Sequence, residues 1–269
     1  KNFKNLQNSF IKFLNKTPPI GKSFICIDNS EIKKIISKIN NKNFLTYGFS
    51  RKSNFQILNP VYKKNFSVFD LKISIPGSKK KIFKKIKLNL IGQHNVLNAS
   101  GAVALCLHIG INIGVIKKSL KKFSGIERRL TKIFSVDGRE FFDDYAHHPT
   151  EIKSILQSLK ITSAGRKIVS VFQPHRYSRL KLLKKDFASS FKNSNLVVLC
   201  PVYPAGEKID KKYDPIDFAK SISVNSKVQV IIVKNENDLK KFFIKNLLED
   251  EIVICMGAGS ISKWLKEMN

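Results

Sequence analysis

The 269-residue chain is poor in acidic groups, with 20 Asp and Glu against 49 Lys and Arg, and poor in sulfur, with four cysteines and two methionines. Cys26, Cys106, Cys200 and Cys255 stand far apart, each in or beside an apolar run. That spacing excludes a cysteine-pair metal motif and a disulfide framework, and fits a reducing compartment. No apolar stretch approaches the roughly 18 residues that span a bilayer, and no signal segment opens the chain. The pattern predicts a soluble, cytoplasmic protein. The sequence has no nucleophile elbow, no Cys–His nucleophile pattern and no phosphate loop of the form G-x-x-x-x-G-K-[ST]. Its first residue is Lys1, and the chain reads as cut from a longer one.

What is present suffices for real cores: 42% of the residues are hydrophobic and 10% aromatic. The net charge of +29 taken alone suggests a nucleic-acid or anionic-membrane partner. The excess reads as lysine spread along the chain among many Ile and Asn, which is the mark of a biased composition on a solvated surface. No membrane or nucleic-acid partner is therefore expected, although a positive field favours encounter with anionic nucleotides.

Apolar spacing predicts a helix over 3–14, a strand over 23–27, a helix over 31–39 and a strand over 44–49. Alternation over 54–90, broken at Asn59-Pro60 and Pro76-Gly77-Ser78, predicts hairpins. Helices follow at 95–108 and 113–123. Beyond Arg129, strands at 132–142, 168–172, 196–202, 228–233 and 252–256 alternate with helices near 149–159, 179–191, 215–221, 237–248 and 261–267. This alternation is that of an α/β domain with an open, mostly parallel sheet. The rhythm changes near Glu127, giving domains of 1–127 and 128–269.

Four clusters carry candidate chemistry. In Gly92-Gln93-His94-Asn95-Val96-Leu97-Asn98 a glycine turn enters a helix, with Asn95 and Asn98 one turn apart. A side-chain amide matches the donor and acceptor on one edge of adenine, and it equally suits a helix start. Arg128 and Arg129 follow Phe123-Ser124-Gly125 at the expected junction; guanidinium groups there suit phosphate, and an arginine pair is also common surface decoration. Asp143-Asp144-Tyr145-Ala146-His147-His148-Pro149-Thr150-Glu151 falls where a strand ends and a helix begins, the place where parallel sheets bind ligands. Neighbouring His147 and His148 point opposite ways in extended chain, so hydrogen bonding or proton transfer is expected there rather than a metal. Phe172-Gln173-Pro174-His175-Arg176-Tyr177-Ser178-Arg179 also closes a strand. Arg176 and Arg179, three apart, converge in a first helical turn and suit a carboxylate. The weaker Gly257-Ala258-Gly259-Ser260 turn lacks a third glycine and reads as close packing.

In this order the clusters resemble the Mur ligases, from Phe10, Phe13, Pro18 and Gly21 through Thr46-Tyr47-Gly48-Phe49 to the final Gly-Ala-Gly turn. The runs 143–151 and 173–179 and Val202-Tyr203-Pro204-Ala205-Gly206-Glu207 favour the alanine-adding branch. The resemblance implies part of a central ATPase domain followed by a Rossmann-like carboxyl-terminal domain. It implies ATP and Mg²⁺, and the joining of L-alanine to the carboxylate of UDP-N-acetylmuramate through an acyl phosphate, in the cytoplasm. It puts Asn95 and Asn98 on the adenine side, Arg129 at the phosphates and Asp144 at the nucleotide. His147, Arg176 and Arg179 would line the site for amino acid and muramyl carboxylate. The family's phosphate loop and metal-holding residues would lie upstream of Lys1, leaving this chain inactive alone. The competing expectations are a ligase that attaches a recycled peptide to the same sugar nucleotide, and a basic nucleic-acid-binding protein.

Overall fold

A computed structural model describes residues 3–268. The chain divides into two compact units, Lys1–Ser124 and Gly125–Asn269. The charge is not spread evenly between them. The first unit holds 24 Lys and Arg against three carboxylates, net +21, and the second 25 against 17, net +8.

In the first unit, α1 (Phe3–Asn15), β1 (Ser23–Cys26), α2 (Ser30–Ile35) and β2 (Phe44–Gly48) precede β3 (Phe55–Tyr62), β4 (Ser67–Ile73) and β5 (Lys81–Leu88). Two helices close the unit, α3 (Gln93–His108) and α4 (Ile113–Lys122). The sheet runs β1-β2-β3-β4-β5, parallel over the first three strands and antiparallel over the last three. Val96, Ala99, Val103 and Ala104 of α3 pack on Phe55, Ile57, Phe69 and Leu71, forming the unit's main core. The stripe on α1 forms a helix as its spacing predicts, yet Phe3, Leu6, Phe10 and Phe13 all stay exposed.

Asn59-Pro60 does not break the strand. It sits inside β3 as a bulge, where the pairing with β4 shifts between Leu58 and Val61. Asn59 takes a left-handed φ of 48° and its amide donates to Asp70 at 3.0 Å. A bulge accommodates both the missing proline N–H and the left-handed residue, so the signal read as a turn is a kink in a continuous strand.

In the second unit, β6 (Thr131–Val136), β7 (Arg139–Asp144), α5 (Pro149–Thr162), β8 (Ile168–Phe172) and α6 (Tyr177–Ala188) come first. Then follow β9 (Leu196–Leu199), α7 (Pro215–Ser226), β10 (Gln229–Ile232), α8 (Glu236–Asn246), β11 (Ile252–Met256) and α9 (Ile261–Glu267). The sheet order is β10-β9-β8-β11-β7-β6, parallel except for β6. The stretch 132–142 expected as one strand is thus a hairpin. Asp137 and Gly138 both have left-handed φ, 49° and 73°, which is the two-residue turn that Asp-Gly favours.

Alternation along β8 and β11 feeds two cores. Ile168, Phe172, Ile252, Ile254 and Met256 face α5, α6 and α7. Val169, Val171, Val253 and Cys255 face α8 and α9. Side chains on both faces are buried, as a parallel sheet between helix layers requires. Cys200 and Cys255 are buried free thiols whose pKa burial raises above the ordinary value.

The end of β2 depends on one close approach. Gly48 has φ of 145°, and a Cβ there would lie 2.5 Å from Asp28 Oδ2. That carboxylate accepts from Phe49 N at 2.7 Å and Ser50 N at 3.0 Å, closing the β2 turn. Gly48→Ala should therefore cost about 2–4 kcal/mol of unfolding free energy in urea, from strain plus displaced hydrogen bonds. Gly77→Ala, also at left-handed φ but with open space around it, should cost only about 1 kcal/mol. Equal losses would show that the Asp28 contact is unimportant.

Candidate functional site

Strand register assembles the candidate site of the second unit. Met256 lies opposite both Asp144 and Phe172, and Phe172 opposite Leu199, so β7, β11, β8 and β9 end level. The segments that follow these strands leave from one end of the sheet, where parallel α/β folds bind ligands.

β7 ends in two aspartates that face opposite ways. Asp143 is fully buried; Ser262 Oγ donates to its Oδ2 at 2.6 Å, and Arg128 Nε lies 3.5 Å from the same oxygen. Asp144, 4% exposed, accepts from Ala146 N at 2.8 Å through Oδ1 and from Leu130 N at 2.7 Å through Oδ2. Burial raises its pKa to about 6, outweighing the two amide bonds and the charge of Arg129, which lower it.

Beyond the aspartates, the rings of Tyr145, His147, His175 and Tyr203 form a row with centroid separations of 5.1, 5.7 and 5.6 Å. Arg129 is exposed and its guanidinium lies 5.9 Å from the Tyr145 ring centre. The Tyr145 carbonyl accepts from His147 Nδ1 at 2.8 Å, and Glu151 Oε2 is 3.6 Å from that nitrogen. His148 caps α5: its Nδ1 accepts from Thr150 N at 3.3 Å, while Glu151 accepts from the His147 and His148 amides.

Arg179 Nη1 donates to His175 Nδ1 at 3.2 Å and to the His175 carbonyl at 3.3 Å. A guanidinium cannot accept, so His175 Nδ1 carries no proton. Burial, then the charge of Arg179, holds this imidazole below its ordinary pKa. Burial and neighbouring Arg176 likewise lower the pKa of Arg179.

Arg176 does not share a first helical turn with Arg179, as its spacing suggested. α6 begins at Tyr177, and Arg176 precedes it with φ of 70°, its amide donating to Tyr203 O at 2.9 Å. The parallel bridge from His175 to Tyr203 extends pairing past the strand ends and fixes this kink. The arginines remain neighbours, since the charge of Arg176 acts on Arg179.

Asn95 and Asn98 lie on α3 of the first unit. Asn95 Nδ2 donates back to Ile91 O at 2.9 Å, whereas Asn98 is exposed. The Asn95 amide thus serves the helix start with its donor end, leaving its carbonyl end for another partner.

Several supporting residues escaped assignment from sequence. Gln173 accepts from Ile261 N at 3.0 Å and donates to Ser260 Oγ at 3.0 Å, holding the final glycine turn. A Cβ on Gly259 would come 2.5 Å from both Gln173 Oε1 and Tyr203 Cγ, so this turn is close-packed. Glu207 accepts from the amide and hydroxyl of Ser178 at the start of α6. Both residues lie within runs that stood out in the sequence, but only the fold reveals their partners.

Two family descriptions match the chain: the Mur ligase middle domain over residues 1–106, and the Mur ligase glutamate ligase domain over residues 128–259. The chain is 47% identical over 265 residues to the UDP-N-acetylmuramate--L-alanine ligase of Pelagibacter ubique (strain HTCC1062), covering 98% of this chain and 57% of that protein. It is 36% identical to the protein of the same name from Wigglesworthia glossinidia brevipalpis, covering 99% of this chain and 57% of the relative. The solved UDP-N-acetylmuramate-alanine ligase of Thermotoga maritima shares the fold, with a TM-score of 0.69, 21% identity, and coverage of 96% of this chain and 60% of the other. The chain thus spans little more than half the length of these curated relatives. With the middle-domain and ligase-domain descriptions matching successive parts of a two-unit α/β structure, the chain belongs to the Mur ligase family.

Proposed function

We propose that this chain is the later part of the central ATP-binding domain, residues 1–127, and the carboxyl-terminal domain, residues 128–269, of a cytoplasmic ligase of peptidoglycan precursor synthesis. The ligase joins L-alanine to the carboxylate of UDP-N-acetylmuramate, using ATP to form an acyl phosphate that the amine then attacks. The observation that carries the reading is the grouping of His147, His175, Arg176 and Arg179 past level strand ends, in a chain 47% identical to a ligase of that name.

In this reading Arg176 and Arg179 hold carboxylates, since paired guanidinium groups suit planar anions. His147 lines the same site. Arg129, exposed beside Tyr145, serves the ATP phosphates, and Asp144 holds the nucleotide through lone pairs left over from its two amide bonds. Asn98 and the carbonyl end of Asn95 serve adenine. An acyl phosphate hydrolyses in water, so the site must exclude solvent while orienting the amine.

Mg²⁺ would offset phosphate charge. Among the described residues no group of three His, Cys, Asp or Glu is placed to hold a metal. On the family resemblance, the metal ligands and the phosphate loop would lie in the part of the relatives' length that this chain does not span.

Three outcomes test the reading. This chain alone should show no alanine-dependent phosphate release with ATP and UDP-N-acetylmuramate; appreciable turnover would refute the assignment of phosphoryl transfer elsewhere. Fused to the portion of the Pelagibacter ubique ligase that it does not span, the chain should turn over. In that fusion Arg176→Ala should raise the KM for alanine about 10- to 100-fold, as for loss of a charged hydrogen bond. An unchanged alanine dependence would remove the carboxylate role. Asp144 should titrate near pH 6. Its folded-state pKa is raised, so its contribution to stability is complete below the unfolded value near 3.8 and disappears as pH rises through about 6. The unfolding free energy of the wild type relative to Asp144→Asn should fall by ~2 kcal/mol between pH 4 and 7 in urea titrations. A flat difference would show that Asp144 is not so shifted.

A further inference from the structure

Resting on the ligase reading, we infer that Arg128 is a positioning residue, the half-buried anchor that presents Arg129 and Asp144 to the nucleotide. The segment carrying Arg129 is strained on both sides of it. Arg128 has φ of 60° and Leu130 has φ of 50°, and neither is glycine. Left-handed backbone is unfavourable for a residue that bears a side chain, so two such residues bracketing a third persist only where surrounding contacts hold them.

Those contacts come from the end of β7 and the turn after β11. The Arg128 carbonyl accepts from Tyr145 N at 2.8 Å, and Leu130 N donates to Asp144 Oδ2 at 2.7 Å. Arg129 is therefore tethered on both sides to the residues next to its proposed ligand. The Arg128 side chain turns inward as Arg129 stays exposed. Its Nη2 donates to Gly257 O at 2.6 Å, its Nε faces Asp143 at 3.5 Å, and its guanidinium lies 4.8 Å from the Tyr145 ring centre. One planar group thus joins three segments: the start of β6, the end of β7 and the turn after β11.

Only arginine meets these demands together. Its fork spans a carbonyl and a carboxylate while the plane lies over a ring; a lysine ammonium reaches one of them at a time. Asp143, fully buried, also needs this cation, because its Oδ1 has no hydrogen-bond partner and Ser262 supplies only a neutral one. Arg128 touches neither nucleotide nor amino acid in this scheme and acts through Arg129 and Asp144.

Amide hydrogen exchange on this chain provides a test that needs no ligand and no turnover. Arg166 is the control, an arginine at the opposite end of the sheet that donates to Asp250 O at 2.7 Å and Gly138 O at 2.7 Å. Arg128→Met should speed exchange at Leu130 and Tyr145 at least ~10-fold beyond its effect on the central strands β8 and β11. Arg166→Met should not single out those two amides. In the fusion enzyme Arg128→Met should raise the KM for ATP without changing that for alanine. Arg128→Lys should fall between wild type and Met in both measurements, and it decides the matter if Met prevents folding. The inference is overturned if Leu130 and Tyr145 keep wild-type protection, or if Arg128 and Arg166 variants loosen the unit alike. It is also overturned if the KM values for ATP and alanine move together. Absence of turnover in the unsubstituted fusion counts against the ligase reading, whereas normal exchange in the variants counts against the anchor.

Discussion

The level ending of β7, β11, β8 and β9 is the constraint on which the second unit's chemistry depends. Register in a sheet buried on both faces is set by side-chain alternation, because a slip of one residue would exchange the two cores. Phe172 and Met256 must enter the core beneath α5 to α7, and Val171 and Cys255 the core beneath α8 and α9. Once those faces are satisfied, the residues after each strand have no freedom in height. Tyr145, Gln173 and Gly257, which follow β7, β8 and β11, come to one level because of apolar residues that touch no ligand. The amides of Gln173 and Gly257 then reach back to Met256 O and Asp144 O, continuing the pairing into the segments that follow.

Polar groups at this level are divided by sign. The carboxylates are largely occupied by the protein's own backbone: Asp144 by two amides, Glu151 by the amides of His147 and His148, Glu207 by that of Ser178. Arg129 and Arg176 are exposed, and Arg179 is half-buried against His175. Fixing the anions as caps and leaving cations outward produces a field suited to phosphate and carboxylate without a large count of charges. Left-handed residues occur in the same segments, at Arg128, Leu130, Arg176 and Ala205, and also at Asp137, Ala164, Lys227 and Asp250 elsewhere in the unit. The kinks at Arg128, Leu130 and Arg176 are each held by a hydrogen bond, to Tyr145 N, Asp144 and Tyr203 O.

Much of this was legible in the sequence because it follows from short-range periodicity. The helix and strand rhythm past Arg129 needs only apolar spacing, and the polar runs at strand ends follow once strands are placed. What was missed depended on conformation. Asp137-Gly138 carries a hairpin signal that was hidden inside an apolar run long enough to pass for one strand. Asn59-Pro60 carries a turn signal that the fold uses as a bulge. Arg128 and Arg129 are indistinguishable as letters; only backbone kinks at 128 and 130 send one inward and one outward. Arg176 was placed in a helix because nothing local announces a left-handed arginine pinned by Tyr203.

The imidazole of His175 sharpens what such a field does on the proposed reading. His175 cannot take a second proton without losing the bond it accepts from Arg179, and burial opposes the added charge as well. The ring therefore adds shape and a hydrogen-bonding nitrogen while contributing no positive charge. An amino acid bound there by its carboxylate meets Arg176 and Arg179 as the dominant charges. The same cations that attract the carboxylate repel an ammonium, lowering the pKa of the amine on the bound molecule. A free amine is what attack on an acyl phosphate requires. Binding one end of the zwitterion and deprotonating the other are then a single electrostatic effect.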